Sequence, residues 1–220
     1  MNPRRQLREP LSQAEFNQLS LVAKTLKLQP PWFNLRWSIH ATAAHTFFAS
    51  RSGRLTPSSG AVPCLYLARD AETSFEELYG DFCDAAEKRG TAFALRPAEA
   101  ANRLLVRTTE ETELKICDLT RPGVAKQIGL DLGTLYAPEI RLTREFAQRL
   151  HDHPAKFDGI VYRSRLMSTK CVVLWETHRR FSILLEKHST LADHLREDSA
   201  IDPDYRLFKR RVSLVGIPVA

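Results

Sequence analysis

The chain lacks any long apolar run. Its longest apolar stretches fall well short of the roughly 18 residues that a membrane-spanning helix needs. The first residues, MNPRRQLREPLSQ, carry charge but no apolar segment of the kind found in a secretory signal. These two absences predict a protein that works in the cytoplasm and has no membrane partner.

Paired cysteines and metal-ligand spacings are also missing. No C-x-x-C pair occurs, and each cysteine lies in an apolar strand or helix, so we predict reduced thiols in the core. His151 and His153, in the run HDH, are predicted to lie at a solvated helix end rather than to bind a metal. The sequence therefore predicts no metal site. The four cysteines are Cys64, Cys83, Cys117 and Cys171.

The middle of the chain has almost no excess positive charge. The net charge is +6, but residues 1–10 hold three arginines against one glutamate. Residues 204–211 hold three arginines and one lysine against one aspartate, so five of the six excess charges lie near the ends. A basic nucleic-acid-binding face through the body is not supported. A nucleic-acid-binding module, suggested by the pI of about 9.3, remains an alternative that predicts strongly salt-dependent binding.

Strands and helices alternate between residues 32 and 180, which predicts one α+β or mixed α/β domain with appendages. Predicted strands cover residues 35–40, 62–68, 103–107, 113–118, 159–163 and 171–175, and predicted helices cover 72–88, 122–129 and 143–152. We predict an N-terminal helical extension over 1–31, the main domain over 32–180, and a C-terminal extension over 181–220 that packs on it. The apolar tail after RLFKRR is expected to add an edge strand.

The N-terminal extension carries the pattern of one amphipathic helix over residues 12–27. Ser12 and Glu15 fit a capping box. Pro30 and Pro31 then end the helix, because they remove donors and hold the chain extended. We expect its apolar face to pack on the domain. That face comprises Phe16, Leu19, Val22 and Leu26.

Three polar residues stand in unusual places along the domain. Arg54 follows Gly53 in the turn-rich run SGRLTPSSG, Glu77 lies in the helix after the strand VPCLYLA, and Ser164 ends the strand in GIVYRSR. Each residue, taken alone, has an ordinary interpretation. The arginine and the glutamate would be solvated at the surface, and the serine hydroxyl would cap a turn. No G-x-S-x-G elbow surrounds Ser164, which argues against a hydrolase nucleophile.

The flanks of these residues favour a ligand site. A glycine before Arg54 permits close backbone approach, and guanidinium is the natural bidentate partner of a pyrophosphate. Glu77 is predicted to point about 160–200° away from the apolar stripe of its helix, and strand ends are where mixed sheets place ligand clefts. Together the three residues predict a site for an anionic nucleotide. The predicted core stripe is Phe75, Leu78, Tyr79, Phe82 and Ala86.

The chain resembles the RES domain, a family named for Arg, Glu and Ser residues in this order. The resemblance rests on SGRLTP, CLYLARDAETSFEELYGD, YAPEIRLTREFAQRLHDH and FDGIVYRSRLMSTKCVVLWE, and covers about residues 32–180. It implies that Arg54, Tyr66, Glu77 and Ser164 occupy the family's functional positions. An early arginine of the family falls at Ser38 here, and Arg36, two residues away on the same predicted strand face, is the candidate replacement.

The resemblance also implies a fold and an activity. The fold is expected to resemble ADP-ribosyltransferases, and the activity to be cleavage of the nicotinamide–ribose bond of NAD, with water, phosphate or a protein side chain as acceptor. Glu77 would stabilise the developing charge, Arg54 and Arg36 would bind the pyrophosphate, Tyr66 would stack, and Ser164 would bind the carboxamide or orient Glu77. Several members are toxins held by an Xre-type antitoxin. The alternative is a non-catalytic relative that binds a nucleotide or a protein.

Overall fold

A computed structural model describes the chain over most of its length. The residues described are 11–19, 24–40, 47–49, 53–130, 132–137, 139–176, 183–195 and 212–214. Within them the strands are β1 (Lys24–Leu28), β2 (Phe33–Trp37), β3 (Phe48–Ala49), β4 (Pro63–Ala68), β5 (Phe93–Leu95), β6 (Arg103–Thr108), β7 (Thr112–Asp118), β8 (Gly159–Arg163), β9 (Lys170–Trp175), β10 (Leu185–Thr190) and β11 (Val212–Leu214).

The helices are short apart from two. They are α1 (Gln13–Asn17), α2 (Ala71–Glu87), α3 (Pro97–Asn102), α4 (Val124–Gln127), α5 (Leu132–Tyr136), α6 (Arg141–His151) and α7 (Leu191–Leu195). Asp70 caps α2 by accepting a hydrogen bond from the Thr73 amide at 2.7 Å. No helix among the described residues is both long enough and apolar enough to cross a membrane.

Nine of the described strands form one mixed sheet. Its order is β1-β7-β8-β9-β4-β2-β6-β10, with β3 paired to β4. The pair β7–β8 is parallel, and the other described pairs of this sheet are antiparallel. The predicted α+β class with a mixed sheet is therefore confirmed. The tail does add a strand, but β11 pairs with β5 in a separate two-stranded parallel sheet rather than at an edge of the main one.

Apolar side chains cover both faces of the sheet, since alternate residues of β4 belong to different core clusters. One face packs against α1 and α6, and further along the sheet α2, α3 and α7 cover β2 and β6. Gly159 at the start of β8 has no room for a side chain, because a β-carbon there would overlap the backbone of Val173. The neighbouring Asp158 is buried, and its carboxylate accepts the Lys115 amide hydrogen at 2.7 Å. The D-G pair thus fixes the entry of β8 into the sheet.

The predicted helix over 12–27 is confirmed only at its start and is wrong at 24–28, while residues 20–23, with Val22 of the predicted apolar face, lie outside the described residues. The capping box at Ser12 and Glu15 is present, but α1 ends at Asn17 and residues 24–28 form β1 on β7. In KTLKL the apolar residues alternate with polar ones, so the segment fits a strand as well as a helix, and the free edge of β7 decides between them. The expected packing of the helix on its own domain is confirmed at Phe16, which is 1% exposed and meets Phe146 edge to face.

Two further expectations need correction. In α2 the buried stripe passes through Phe75, Tyr79 and Cys83, whereas Leu78 and Phe82 are 36% and 58% exposed. His153 lies in the core between the rings of Phe16 and Phe157 rather than at a solvated helix end.

The expectation for the thiols is confirmed. All four cysteines are free and buried, and burial raises the pKa of Cys64 to about 11 and of Cys117 to about 12. No cluster of potential metal ligands occurs among the residues that the structure describes.

Candidate active site

The site begins where two neighbouring strands separate. Strands β2 and β4 form a single register pair, Phe33 with Ala68, and then diverge. Where the two strands no longer pair, side chains hydrogen-bond to their backbone groups. Ser74 accepts the Leu35 amide hydrogen, and Asn34 donates to the Tyr66 carbonyl, both at 2.8 Å. Because these groups are satisfied, the sheet can stay open here at little cost.

A cavity of about 750 Å³ lies over this opening. Such a volume is in the range of small-molecule and cofactor sites. Among the described residues its charged lining is five arginines against two carboxylates, a formal excess of three positive charges that favours an anionic ligand. These residues are Arg36, Arg54, Arg103, Arg163, Arg165, Glu77 and Asp81.

The Glu77 carboxylate lies at the edge of the cavity and is held by two hydroxyl groups. Ser164 Oγ donates to Oε1 at 2.6 Å, and Tyr162 OH donates to Oε2 at 3.2 Å. Burial and the nearby Glu77 charge raise the pKa of Tyr162 well above its ordinary value, so the phenol keeps its proton at neutral pH. Each carboxylate oxygen thus has its own donor, which fixes the plane of the carboxylate.

Ser164 lies behind Glu77, is 3% exposed, and does not line the cavity. Its hydroxyl also accepts the amide hydrogens of Leu166 and Met167, both at 3.2 Å. The ordinary role of such a serine, capping a turn, and the predicted role of orienting Glu77 are therefore combined in one side chain. Direct contact with a substrate, the other predicted role, is not what this placement favours.

Helix α2 meets the β8–β9 turn along a stripe spaced by one helical turn. Thr73 contacts Thr169 through their hydroxyls, Glu77 accepts from Ser164, and Asp81 pairs with Arg165. Residues i, i+4 and i+8 share one face of a helix, which explains the spacing. Gly80 permits the close approach, because a β-carbon there would overlap the Leu166 side chain.

Arg54 is positioned through the residue that follows it. The Leu55 amide donates to Tyr66 OH and the Leu55 carbonyl accepts from Trp175 Nε1, both at 3.2 Å. Gly53 packs directly on the Tyr66 hydroxyl, and a β-carbon would overlap it. The glycine before Arg54 therefore serves close packing inside the protein, not the approach to a ligand that the sequence suggested.

The Arg54 side chain reaches the cavity and donates to the Ala137 carbonyl at the end of α5. The pKa of Arg54 is lowered, chiefly by partial burial and then by the neighbouring Arg165. The charges of Glu77 and Asp81 oppose this shift but do not cancel it. Tyr66 also lines the cavity, and its hydroxyl hydrogen-bonds Thr56 Oγ1 at 3.0 Å. Burial raises the pKa of Tyr66 above its ordinary value, so its hydroxyl is a lasting hydrogen-bond partner of the loop.

Arg36 faces the cavity from β2, and Ser38 does not. The Arg36 guanidinium donates from Nε to Asn34 Oδ1 at 2.6 Å and from Nη1 to the His40 carbonyl at 3.2 Å. Burial lowers its pKa to about 10, so it is still charged at neutral pH. Strand β2 ends at Trp37, and the Ser38 hydroxyl turns to Asn102. The expectation that positions 36 and 38 share a strand face is wrong, because β2 ends between them, but Arg36 itself lines the cavity.

The structure thus brings Arg36, Arg54, Tyr66 and Glu77 to one cavity, with Ser164 behind the carboxylate. Sequence reasoning missed Tyr162, whose signal was its place on β8 two residues before Ser164. It also missed Asp81, one helical turn after Glu77. Trp175 gave no signal in the apolar run KCVVLW.

Comparison with known families gives one match over most of the chain. The family model described as RES domain matches residues 31–196, well over half of the chain. The chain belongs to the RES domain family.

A chain from the crystal structure of the M. tuberculosis MbcT–MbcA toxin–antitoxin complex is similar to this RES protein, with a TM-score of 0.50 and 16% sequence identity. The similarity covers 85% of this chain and 91% of the other, and shows that they share a fold. No curated protein sequence matches this RES chain.

Proposed function

We propose that this protein binds NAD and cleaves its nicotinamide–ribose bond. The observation that carries the proposal is the Glu77 carboxylate, held by Ser164 and Tyr162 beside a cavity lined by five arginines. An anionic dinucleotide suits the charge of this cavity, and a fixed carboxylate suits a reaction that develops positive charge on a sugar. The RES family and the resemblance of its motifs to NAD-consuming proteins point to the same chemistry.

In the reaction, the bond between the anomeric carbon of ribose and the pyridinium nitrogen breaks. Its electron pair leaves with nicotinamide, which becomes neutral and needs no proton. The sugar carbon passes through an oxocarbenium-like state, as in glycoside hydrolysis. Water, phosphate or a protein side chain then supplies the electron pair of the new bond and loses its proton to solvent or a base.

The side chains divide this work between stabilisation and binding. The Glu77 carboxylate accepts a hydrogen bond from a ribose hydroxyl and stabilises the positive charge that develops on the ribose ring. Arg54 and Arg36 bind the pyrophosphate, for which the paired donors of a guanidinium are well suited. Tyr66 presents its ring to the nicotinamide half. Ser164 acts through Glu77, because its hydroxyl already has three partners.

The test is incubation of purified protein with NAD, with and without inorganic phosphate, followed by mass spectrometry. We expect free nicotinamide, and the mass of the second product identifies the acceptor as water, phosphate or protein. The Glu77→Gln variant is the control for a contaminating activity. A folded protein that binds NAD and releases no nicotinamide under either condition would instead be a non-catalytic nucleotide-binding relative.

We further propose that the protein is the toxin of a toxin–antitoxin pair, held by an antitoxin with an Xre-type DNA-binding part. Membership of the RES family supports this, as does the fold shared with a chain of a toxin–antitoxin complex. Induced expression should lower cellular NAD and stop growth, and Glu77→Gln expressed to the same level should do neither. Equal growth arrest by both proteins would contradict the proposal.

A further inference from the structure

The cavity extends well beyond the residues assigned to the reaction. Tyr162 lies on β8 and Arg103 on β6, and both line it. The order β8-β9-β4-β2-β6 separates them by four strand spacings, at least roughly 19 Å along the sheet, because β4 and β2 also diverge between them. That length suits a dinucleotide rather than a single ribose.

The order of side chains along this path places the two halves of such a ligand. At the β8 end, Tyr162 donates a hydrogen bond to Glu77. Arg54 lies near Glu77, whose negative charge favours the charged form of the guanidinium. Arg36 and Trp37 follow on β2, where consecutive side chains point to opposite faces, and both line the cavity because it lies at the opening between β2 and β4. Arg103 comes last, as the register partner of Trp37 on β6. With the reacting ribose at Glu77 and the pyrophosphate at Arg54 and Arg36, the second nucleoside extends toward Trp37.

Trp37 and Arg103 form a flat stack at that end. The Arg103 guanidinium carbon lies 3.7 Å from the centroid of the Trp37 ring. Arg103 Nε donates to Tyr79 OH at 3.0 Å, and its Nη2 is 3.7 Å from the Glu99 carboxylate. Tyr79 and Glu99 therefore fix the guanidinium plane, and Glu99 offsets its charge. Trp37 remains 37% exposed although one face of the indole is covered.

These features fit a base better than a phosphate. A charge-balanced guanidinium is a weak phosphate ligand, whereas indole and guanidinium planes are stacking surfaces for nucleobases. We propose that Trp37, stacked on Arg103, is the purine-binding subsite of the cavity and determines its preference for a dinucleotide over nicotinamide mononucleotide. This inference rests on the proposed cleavage of NAD and adds the residue that recognises the half of NAD that does not react.

The experiment compares NAD with nicotinamide mononucleotide, which has the same reacting bond but no purine, in Trp37→Leu and Trp37→Phe. Leucine keeps apolar bulk without a ring, and phenylalanine keeps a ring. We expect Trp37→Leu to raise KM for NAD about tenfold, from the usual effect of losing one stacked base. Turnover of the mononucleotide should not change, and Trp37→Phe should recover most of the loss. Phe82→Ala, at an exposed aromatic outside the cavity lining, should leave both substrates unaffected.

Binding of ADP-ribose and ribose 5-phosphate, measured by calorimetry, separates failure of the subsite from failure of the reaction. If no nicotinamide forms, but Trp37→Leu weakens the binding of ADP-ribose and not that of ribose 5-phosphate, the proposed subsite is supported and the proposed reaction is wrong. The subsite is wrong if wild-type protein binds both ligands equally. It is also wrong if Trp37→Leu and Trp37→Phe raise KM for NAD equally. The same conclusion follows if Trp37→Leu slows the cleavage of NAD and of the mononucleotide by the same factor.

Discussion

The two sides of the cavity hold their functional groups by different means. On the carboxylate side, Ser164 and Tyr162 donate directly to the oxygens of Glu77. At Arg54, on the other side, Tyr66 and Trp175 hold the backbone of the next residue, Leu55, and the guanidinium extends into the cavity with one donor on the Ala137 carbonyl. A group that stabilises a transition state needs a fixed orientation, whereas a cation that binds phosphate keeps donors for its ligand. Changes on the first side should therefore lower kcat, and changes on the second should raise KM.

Glu77→Gln should have the largest effect, because it removes the charge and keeps the shape. We expect kcat for nicotinamide release to fall about 10²- to 10³-fold, the usual effect of losing one electrostatic group at a reacting centre. Binding of ADP-ribose should be retained. A variant with normal kcat would show that the carboxylate side does not take part in bond cleavage.

Arg54→Gln should raise KM for NAD by about 10- to 100-fold, the range for a lost hydrogen bond between charged groups. The kcat value should change little if pyrophosphate binding is the only role of Arg54. Arg163→Gln, at another cavity-lining arginine, is the matched control and should have a smaller effect. A loss confined to kcat would show that Arg54 acts in bond cleavage rather than in binding of NAD.

Ser164→Ala should lower kcat about tenfold, because Glu77 loses its shorter hydrogen bond but keeps that from Tyr162. Tyr162→Phe should cost less, and the double variant more than the two effects combined, since each hydroxyl partly replaces the other. Strict additivity in the double-mutant cycle would show that the two hydroxyls do not act on one carboxylate.

Trp175→Phe keeps most of a buried ring and leaves the Leu55 carbonyl without its donor. We expect KM for NAD to rise a few-fold and the unfolding free energy to fall by about 1–3 kcal/mol, the penalty of one unsatisfied buried group. Urea unfolding and steady-state kinetics measure the two effects. An unchanged KM with lowered stability would mean that the loop does not need this bond to place Arg54.

The smallest effect is a loss of stability at alkaline pH. Burial raises the pKa of Cys117 to about 12 from an ordinary 9.0, and that of Tyr162 well above 10.0. A raised folded-state pKa gives stability that is full below the unfolded pKa and is lost as the pH rises above it. The urea midpoint should thus fall from about pH 9 upward, and less steeply in Tyr162→Phe. A flat midpoint up to pH 11 would contradict this account.

Short-range patterns carried most of what the sequence predicted. Arg54 follows a glycine in a turn-rich loop, Glu77 lies in the helix after a strand, and Ser164 directly follows β8. The six predicted strands from β2 to β9 correspond to strands of the sheet. Glu77 also needed only the local fact that it points away from the apolar stripe of its helix.

Long-range pairing accounts for the rest. Residues 24–28 became a strand because β7 had a free edge, and no local pattern excludes a helix there. Trp175 acts on Leu55, 120 residues away in the chain. The separation of β2 from β4, which opens the cavity, depends on Asn34 and Ser74 replacing ladder hydrogen bonds. Neither residue is distinctive as a sequence letter.

The most direct test of the two-sided cavity is one pair of saturation curves for nicotinamide release, from Glu77→Gln and Arg54→Gln over the same NAD concentrations. Our account predicts that Arg54→Gln approaches the wild-type rate at high NAD, while Glu77→Gln stays far below it at every concentration. Recovery of Glu77→Gln by high NAD, with Arg54→Gln still inactive, would contradict it.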